Sequence, residues 1–245
     1  MRLTRVHVAA PLAPGSEIAL PESATTHLSR VLRLGIGDAC VLFNGDGHDY
    51  AAQIVAAGKR EVRVRVGAAT AVDRESPLRL VLLQGIARGE KMDLILQKAT
   101  ELGVSEVHPL SSQRSEVKLD DTRAEKRLAH WQSVVVSACE QSGRAIVPRV
   151  SAPVSLAAAL GALPAGGLRL ILDPDGGLSL PTLAWESTAP ILLAVGPEGG
   201  WSPLDRDQLH AASFQGLRMG PRILRTETAG LAAIAALQAR FGDLS

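Results

Sequence analysis

The sequence predicts an α/β protein in two domains, a small β-rich domain at residues 1–72 and a larger domain at residues 73–245. In the first domain, short runs that alternate polar and apolar residues are separated by glycine-containing turns, which is typical of short strands. After residue 78, apolar runs alternate with segments of helical periodicity, and this alternation predicts a mostly parallel sheet between helices. Residues 70–77 are polar and end in proline, which places the domain boundary there.

In the first domain we expect strands at residues 2–9, 40–43, 48–56 and 61–66. Residues 44–47 (NGDG), between the second and third strands, have the composition of a hairpin turn. A helix fits residues 23–32, because glycines at positions 35 and 37 end its pattern.

In the second domain we expect strands at residues 78–84, 104–110, 168–172, 191–195 and 216–219. The first of them is a continuous apolar run, as expected for a strand that is covered on both faces. Helices are expected at residues 90–102, in a segment that ends near residue 142, after Ser202, and at residues 227–240. The helix after Ser202 begins with a capping serine and then Pro203, which is a typical helix start.

The composition excludes several classes of protein. A net charge of +1 excludes a histone-like polycation but permits a local basic patch. Cys40 and Cys139 form no CxxC pattern and the histidines show no metal-ligand spacing, so we expect neither a disulfide framework nor a metal site. No apolar run is long enough to span a membrane, and the N-terminus does not read as a signal peptide, so we expect a cytoplasmic protein.

A glycine turn of sequence GPEGG occupies residues 196–200, directly after the apolar run 191–195. It therefore lies at the carboxyl end of a strand, where open α/β sheets bind ligands. Glycine turns can serve structure alone, but an acid in such a turn has no purpose in packing. Glu198 could accept a hydrogen bond from a ribose hydroxyl or position a substrate base.

A second unusual segment, RILRTETA, occupies residues 222–229 and follows the last predicted strand. Thr226 is a natural helix cap and Glu227 suits the positive end of a helix, so both have an ordinary structural explanation. Arg222 and Arg225 have none. With Arg218, they would gather beside a ligand pocket at the ends of these strands, as phosphate binding requires. A solvated charged face is the alternative.

Other basic residues are candidates for a nucleic-acid groove. Arg88 and Lys91 follow another strand end, but neither the spacing of a phosphate loop nor a GxGxxG pattern is present. Arg144 closes a helix in the segment EQSGR (residues 140–144), and together with Arg114 it could extend a basic groove.

Five segments together resemble the bacterial 16S ribosomal RNA (uracil-N3)-methyltransferase family of the SPOUT class. They are residues 27–38 (HLSRVLRLGIGD), 91–104 (KMDLILQKATELGV), 140–144 (EQSGR), 196–200 (GPEGG) and 219–229 (MGPRILRTETA). The match runs across nearly the whole chain, and the last two segments in this order are highly specific. Met219 replaces the leucine that the family usually has, which is a mild departure.

The resemblance implies a fold, a cofactor and partners. The fold would be an N-terminal PUA-like β-barrel that helps to bind RNA and a C-terminal SPOUT domain with a deep trefoil knot. The cofactor would be S-adenosylmethionine, and the substrate 16S ribosomal RNA in the small ribosomal subunit, bound across the interface of a homodimer. Periodicity alone would not predict a knot, because knotted chains are very rare.

The resemblance also implies site residues on three loops, the first of which follows Leu172. Those expected to bind the cofactor are Leu172, Val195, Gly196, Pro197, Glu198, Gly199, Gly200, Met219, Gly220, Ile223, Leu224, Arg225, Thr226 and Thr228. Those expected to contact RNA are Arg30, Arg33, Arg88, Lys91, Arg114, Arg144 and Arg222.

Methylation at uracil N3 makes a specific chemical demand, because N3 is a poor nucleophile until its proton leaves. The enzyme must align N3 with the methyl donor and favour the anionic base. Arg225 could stabilise the uracil anion or its phosphate, and Glu198 or Glu227 could accept a proton or orient a group. The target would be a flipped or single-stranded uridine.

Two other functions stay open at this point. The same fold and cofactor could serve methylation of a ribose 2′-oxygen or of guanine in another RNA. Alternatively, the protein could be a non-catalytic RNA-binding module, such as a ribosome assembly factor, which would show no saturable binding of S-adenosylmethionine. The intact glycine and arginine segments argue against this last alternative.

Overall fold

The computed structural model describes residues 3–58, 61–115, 121–164, 166–185 and 189–244, with the side chains of residues 30, 31 and 121 excluded. It divides into two compact units. Unit 1 contains Met1–Glu75 and Cys139–Val147, and unit 2 contains Ser76–Ala138 and Pro148–Ser245. The expected boundary between residues 72 and 73 stays a prediction. No sequence pattern indicated that Cys139–Val147 would join the first unit.

Unit 1 is built on a five-stranded sheet. Its strands are β1 (Arg5–His7), β2 (Glu17–Ala19), β3 (Ala39–Phe43), β4 (His48–Ala57) and β5 (Val62–Ala71). They pair in the order β1-β3-β4-β5-β2, with β1 parallel to β3 and the other pairs antiparallel. The predicted β-rich unit is thereby confirmed, and β3 and β4 flank the predicted turn at residues 44–47. The short strand β2 was not predicted.

The helix predicted at residues 23–32 is present in two parts, α1 (Glu22–Thr26) and a π-helical turn over His27–Val31. The Ser29 hydroxyl donates a hydrogen bond to the Thr25 carbonyl at 2.7 Å. Such a side-chain contact competes with the regular backbone bonds of a helix. Leu28 in the turn is fully buried in the core of the sheet, which holds this segment in place.

Cys139–Val147 contact the sheet of unit 1 through buried polar groups. The Arg5 guanidinium donates to the Cys139 carbonyl at 2.6 Å. The carboxylate of Glu140 accepts a hydrogen bond from the His7 N–H at 3.0 Å. The EQSGR segment is therefore part of the packing of unit 1.

Unit 2 is built on an eight-stranded sheet. Its strands are β6 (Leu80–Gly85), β7 (Glu106–Ser111), β8 (Arg149–Val150), β9 (Val154–Ser155), β10 (Leu168–Leu172), β11 (Leu178–Ser179), β12 (Ile191–Val195) and β13 (Gln215–Arg218). The order is β11-β13-β10-β12-β6-β7-β8, and β9 also pairs with β7. Every strand pair of this sheet among the described residues is parallel, which confirms the predicted α/β class.

The helices of the chain after residue 85 are α2 (Glu90–Glu101), α3 (Asp121–Ser142), α4 (Leu156–Ala162), α5 (Pro203–Ala211) and α6 (Thr226–Phe241), and a 3-10 turn spans Leu180–Thr182. The sequence predicted four of these helices. It missed α4 and the two-residue strands, because they are too short to show a period. In the part of the chain that the structure describes, no helix has both the length and the apolar character to cross a membrane.

The central strand β12 is buried along its whole length. On one face, Leu192 and Ala194 join a cluster with Leu209 of α5. On the other face, α6 approaches closely at Gly230, where a Cβ would lie 3.4 Å from Val195. Burial on both faces explains why this strand reads as a continuous apolar run.

The strand order determines where the loops meet. Because β10 lies between β12 and β13 and all three are parallel, the loops that follow them begin at the same edge of the sheet. In addition, β13 lies between β10 and β11, so the chain returns between two strands that precede it. The expected trefoil knot would lie at this passage and stays a prediction.

Candidate active site

A cavity of about 520 Å³ lies where these three loops meet. Its size falls within the range of about 300–1,000 Å³ that is typical of small-molecule sites. The residues expected to bind a cofactor that line it are Leu172, Val195, Gly196, Pro197, Glu198, Gly200, Met219, Gly220, Ile223, Leu224, Arg225 and Thr226. The fold therefore brings together nearly all of a set that the sequence spreads over more than fifty positions.

Gly199 and Thr228, which were also expected to bind the cofactor, do not line this cavity. A Cβ on Gly199 would lie 3.0 Å from the Cβ of Arg114, and the Arg114 guanidinium donates to the Gly199 carbonyl at 3.2 Å. The exposed Thr228 uses its N–H to bond the Arg225 carbonyl at 2.9 Å. Both residues thus support the loops from outside the cavity.

The cavity also has lining residues that the sequence analysis missed, among them Asp173, Trp201 and Arg206. Asp173 directly follows β10 and forms an ion pair with Arg206 of α5. The position of Asp173 at a strand end could have identified it, since ligands bind there in open sheets. Arg206 lies in an ordinary helix, and its sequence context gives no such indication.

A chain of hydrogen bonds joins the start of α6 to the GPEGG loop. Gln84, at the end of β6, is fully buried, and its Nε2 donates to the Thr226 hydroxyl at 3.1 Å. The Thr226 hydroxyl in turn donates to the Gly196 carbonyl at 2.5 Å. The Thr226 side chain therefore fixes the start of α6 relative to the GPEGG loop, and Gln84 supports it from the buried end of β6.

Close backbone approach explains one glycine at this site. A Cβ on Gly85, the last residue of β6, would lie 2.5 Å from both the nitrogen and the Cδ of Pro197. Within the loop, the Gly200 N–H closes the turn onto the Pro197 carbonyl at 2.8 Å. Gly200 itself has φ +67°, a conformation that favours glycine.

Two carboxylates and one ammonium group lie together at the wall of the cavity. Lys91 Nζ is 3.3 Å from Glu198 Oε1 and 3.8 Å from Glu227 Oε2. The Arg88 N–H also donates to Glu198 Oε1, at 3.1 Å. Partial burial raises the pKa of Glu198, but hydrogen bonds from the backbone and from Lys91 outweigh it, so the net shift of this pKa is downward. Glu198 is thus held as an anion.

Arg225 is exposed and lines the cavity, and it forms no ion pair with the residues that the structure describes. Its carbonyl accepts the Ala229 N–H at 2.7 Å in the first turn of α6, so its backbone is fixed while its guanidinium faces outward. The neighbouring Ile223 is 78% exposed, which is unusual for a large apolar side chain. This loop therefore offers both a cation and an apolar surface beside the cavity.

Four of the residues expected to contact RNA surround the cavity. Lys91 and Arg222 line it. Arg88 and Arg114 contact the GPEGG loop through the bonds to Glu198 and Gly199, and both are exposed.

The other three residues expected to contact RNA belong to unit 1. Arg33 is exposed and has φ +55°, whereas the side chain of Arg30 lies outside the described residues. Arg144 differs from the expectation, because its side chain is 6% exposed and forms an ion pair with Glu75. A buried, paired guanidinium is not available to a phosphate, so we assign Arg144 a structural role. The pattern of a polar helix end could not reveal a partner so far away in sequence.

Family models match both parts of the chain. A model described as an RNA methyltransferase domain matches residues 74–238, and one described as an RNA methyltransferase PUA domain matches residues 20–67.

No group of three histidine, cysteine, aspartate or glutamate side chains that could hold a metal ion occurs among the described residues.

Similar proteins of known name cover the chain from end to end. The ribosomal RNA small subunit methyltransferase E of Buchnera aphidicola subsp. Schizaphis graminum is 31% identical over 100% of this chain and 99% of its own. A crystal structure of the enzyme of that name from Neisseria gonorrhoeae, bound to S-adenosylmethionine, has a TM-score of 0.95 at 39% identity, with 100% of each chain covered. A methyltransferase from Legionella pneumophila in complex with the same cofactor has a TM-score of 0.95 at 36% identity, again with 100% of each chain covered. This chain therefore belongs to the RNA methyltransferase family that includes the ribosomal RNA small subunit methyltransferases E.

Proposed function

We propose that this protein transfers the methyl group of S-adenosylmethionine to N3 of a uridine in 16S ribosomal RNA of the small ribosomal subunit. The observation that carries the proposal is the cavity built from the loops after β10, β12 and β13, in a chain whose full-length relatives bind this cofactor. The reading as a non-catalytic RNA-binding module gives no reason for such a cavity.

The chemistry of the cavity fits the cofactor. Leu172, Met219 and Leu224 provide apolar contact for an adenine ring, and the glycines at positions 196, 200 and 220 expose main-chain groups to it. Glu198 provides negative charge for a positively charged group of the cofactor. Trp201 adds an indole N–H that has no acceptor among the described residues.

When bound, S-adenosylmethionine supplies a methyl group already activated by a positively charged sulfur. The protein must therefore hold uracil N3 in line with that methyl group and favour loss of the N3 proton. Arg225 is placed to stabilise the negative charge that develops on uracil or to hold its phosphate. Glu198 and Glu227 are the candidate groups for the proton, and Arg88, Lys91, Arg114 and Arg222 would hold the RNA around the cavity.

Further properties belong to the same proposal. The PUA-like unit 1 would contribute to RNA binding through Arg33 and Arg30, and the passage of β13 between β10 and β11 would form the trefoil knot. The protein would act as a cytoplasmic homodimer. Large apolar side chains exposed on unit 2, Ile223 and Leu94, support association with a second copy.

The test is a methylation assay on small ribosomal subunits from a strain that lacks the enzyme. After incubation with S-adenosylmethionine, the modified nucleoside is identified by mass spectrometry. We expect 3-methyluridine in 16S ribosomal RNA. A 2′-O-methylated nucleoside or a methylguanosine would refute the N3 target, and no saturable cofactor binding in calorimetry would favour the RNA-binding module instead.

A further inference from the structure

The two carboxylates that face Lys91 at the cavity differ in how many hydrogen bonds their oxygen atoms accept. Glu198 and Glu227 both line the cavity and both face Lys91. Glu198 lies in the GPEGG loop and Glu227 in the first turn of α6, so nothing in their sequence spacing indicates that they share one ammonium group. Their hydrogen-bond partners separate them into two roles.

Glu198 is already committed to protein partners. Its Oε1 accepts the Arg88 N–H at 3.1 Å and lies 3.3 Å from Lys91 Nζ. Both donors precede or begin α2, so this carboxylate ties the start of α2 to the GPEGG loop. Because two donors already stabilise the anionic form at this oxygen, the Glu198 carboxylate is the weaker proton acceptor.

Glu227 has unused acceptor capacity. Its side chain is 14% exposed and lines the cavity, and its Oε2 is closed off from solvent and accepts no hydrogen bond from the residues that the structure describes. The nearest cation, Lys91 Nζ, is 3.8 Å away, which is too far for a good hydrogen bond. A buried carboxylate oxygen without a donor is costly. Because the side chain lines the cavity, rotation of the carboxylate about its last bond would bring this oxygen to a donor on a bound ligand.

We infer that Glu227 is the proton acceptor of the methyl transfer and that Glu198 is a positioning residue that holds Lys91 and α2 in place. The inference rests on the proposed function, because it takes uracil N3 as the donor. In the reaction the N3–H bond breaks and its proton goes to the Glu227 carboxylate. The N3 electron pair forms the bond to the methyl carbon, and the electrons of the broken carbon–sulfur bond stay on sulfur. Glu227 then returns its proton to solvent.

The first test compares Glu227→Gln and Glu198→Gln with the wild-type protein in single-turnover methylation of small ribosomal subunits. An isosteric amide keeps the shape of the cavity but removes the base, so we expect Glu227→Gln to be about 10²–10⁴-fold slower at neutral pH. Its rate should then rise about tenfold per pH unit above neutrality, as solvent removes the N3 proton instead, while the wild-type rate stays flat. Glu198→Gln should be less impaired and show no such slope.

Three measurements distinguish a catalytic role of Glu227 from a structural role. Cofactor affinity of Glu227→Gln should stay within about threefold of wild type in calorimetry, because only transition-state stabilisation is lost. Glu90→Gln, an exposed acid in the first turn of α2, is the matched control and should behave as wild type. Subunits assembled with 5-fluorouridine, whose N3 proton is more acidic, should reduce the deficit of Glu227→Gln and leave that of Glu198→Gln unchanged.

The inference is refuted if the deficit of Glu227→Gln is constant across pH, or if Glu198→Gln is the variant with the slope. These results are interpreted only when the wild-type protein makes 3-methyluridine in the same assay. If the wild-type protein makes none, the proposed function fails instead, so the two failures are distinguishable.

Discussion

The hydroxyl of Thr226 donates a hydrogen bond to the carbonyl oxygen of Gly196 at 2.5 Å and so ties the first turn of α6 to the GPEGG loop. The same hydroxyl accepts the buried Nε2 of Gln84 at 3.1 Å. Three separate parts of the chain therefore depend on one small side chain for their relative position. Thr226 thus acts on the cavity from the first residue of α6. The expected helix cap is wrong, because the N-cap of α6 is Arg225 and no side chain caps the helix there.

Replacing Thr226 with valine should weaken cofactor binding more than it weakens the fold. Valine keeps the shape but removes the hydroxyl donor to the Gly196 carbonyl and leaves one N–H of Gln84 without its acceptor, while the bond from Gln84 to the Gly85 carbonyl remains. The loss costs about 1–3 kcal/mol. The dissociation constant for S-adenosylmethionine rises tenfold for about every 1.4 kcal/mol of that cost that falls on the cavity, so we expect a rise of about 2- to 10-fold. Calorimetric titration measures it. Thr226→Ser is the control and should bind as wild type; equal weakening by serine and valine would contradict the assigned role of the hydroxyl.

Gly85→Ala should disturb the GPEGG loop although it changes a residue outside it. A Cβ at this position meets the Pro197 ring and nitrogen at 2.5 Å, and backbone on that side cannot yield as a flexible side chain can. Forced contacts of this kind cost about 1–3 kcal/mol. We therefore expect cofactor binding to be at least about fivefold weaker and the melting temperature to be lower.

The matched control is Gly161→Ala in α4, where a Cβ meets nothing within 4 Å. Alanine there should be neutral or stabilising, because it is the better helix former by up to about 1 kcal/mol. Similar losses in both variants would mean that the loop does not depend on close approach. By the same geometry, Gly199→Val would crowd Arg114 and not the cofactor.

Arg225→Ala should lower methyl transfer far more than thermal stability. The guanidinium is exposed and makes no ion pair among the described residues, so its removal should change the free energy of unfolding by no more than about 0.5 kcal/mol. Loss of a charge-assisted hydrogen bond to the substrate, about 1.5–3 kcal/mol, would reduce kcat/KM roughly 10- to 100-fold. Single-turnover methylation and thermal denaturation measure the two quantities. Equal losses of methylation rate and of thermal stability would show that the role of Arg225 is structural.

Trp201 should report cofactor binding directly. The chain has three tryptophans, and Trp201 lines the cavity with an N–H that lacks an acceptor among the described residues. A bound ligand should therefore change its fluorescence, and titration with S-adenosylmethionine should give a saturable signal. Trp201→Phe should lose that signal and bind several-fold more weakly, as expected for one lost hydrogen bond of about 1 kcal/mol. Trp185→Phe, whose N–H bonds the Ala189 carbonyl at 2.7 Å, should keep the signal.

The elements predicted best are those in which the pattern of buried positions is regular along the chain. The predicted bounds of β10 and β12 agree with the structure, because a strand covered on both faces is apolar at every position. In contrast, α4 and β11 are too short to show a period, and the last turn of α3 joins unit 1 through contacts with Arg5 and His7, far away in sequence.

The sequence by itself determined the α/β class, the mostly parallel sheet and two of the loops that form the cavity, because periodicity and glycine turns are local properties of the chain. The third loop, after Leu172, was expected only from the family resemblance. It could not determine which carboxylate has a free acceptor, that Arg144 pairs with Glu75, or that Gly199 faces Arg114. Those features depend on which groups lie within hydrogen-bond distance after folding. The order of strands in the sheet decides which groups come that close, and only the tertiary structure shows that order.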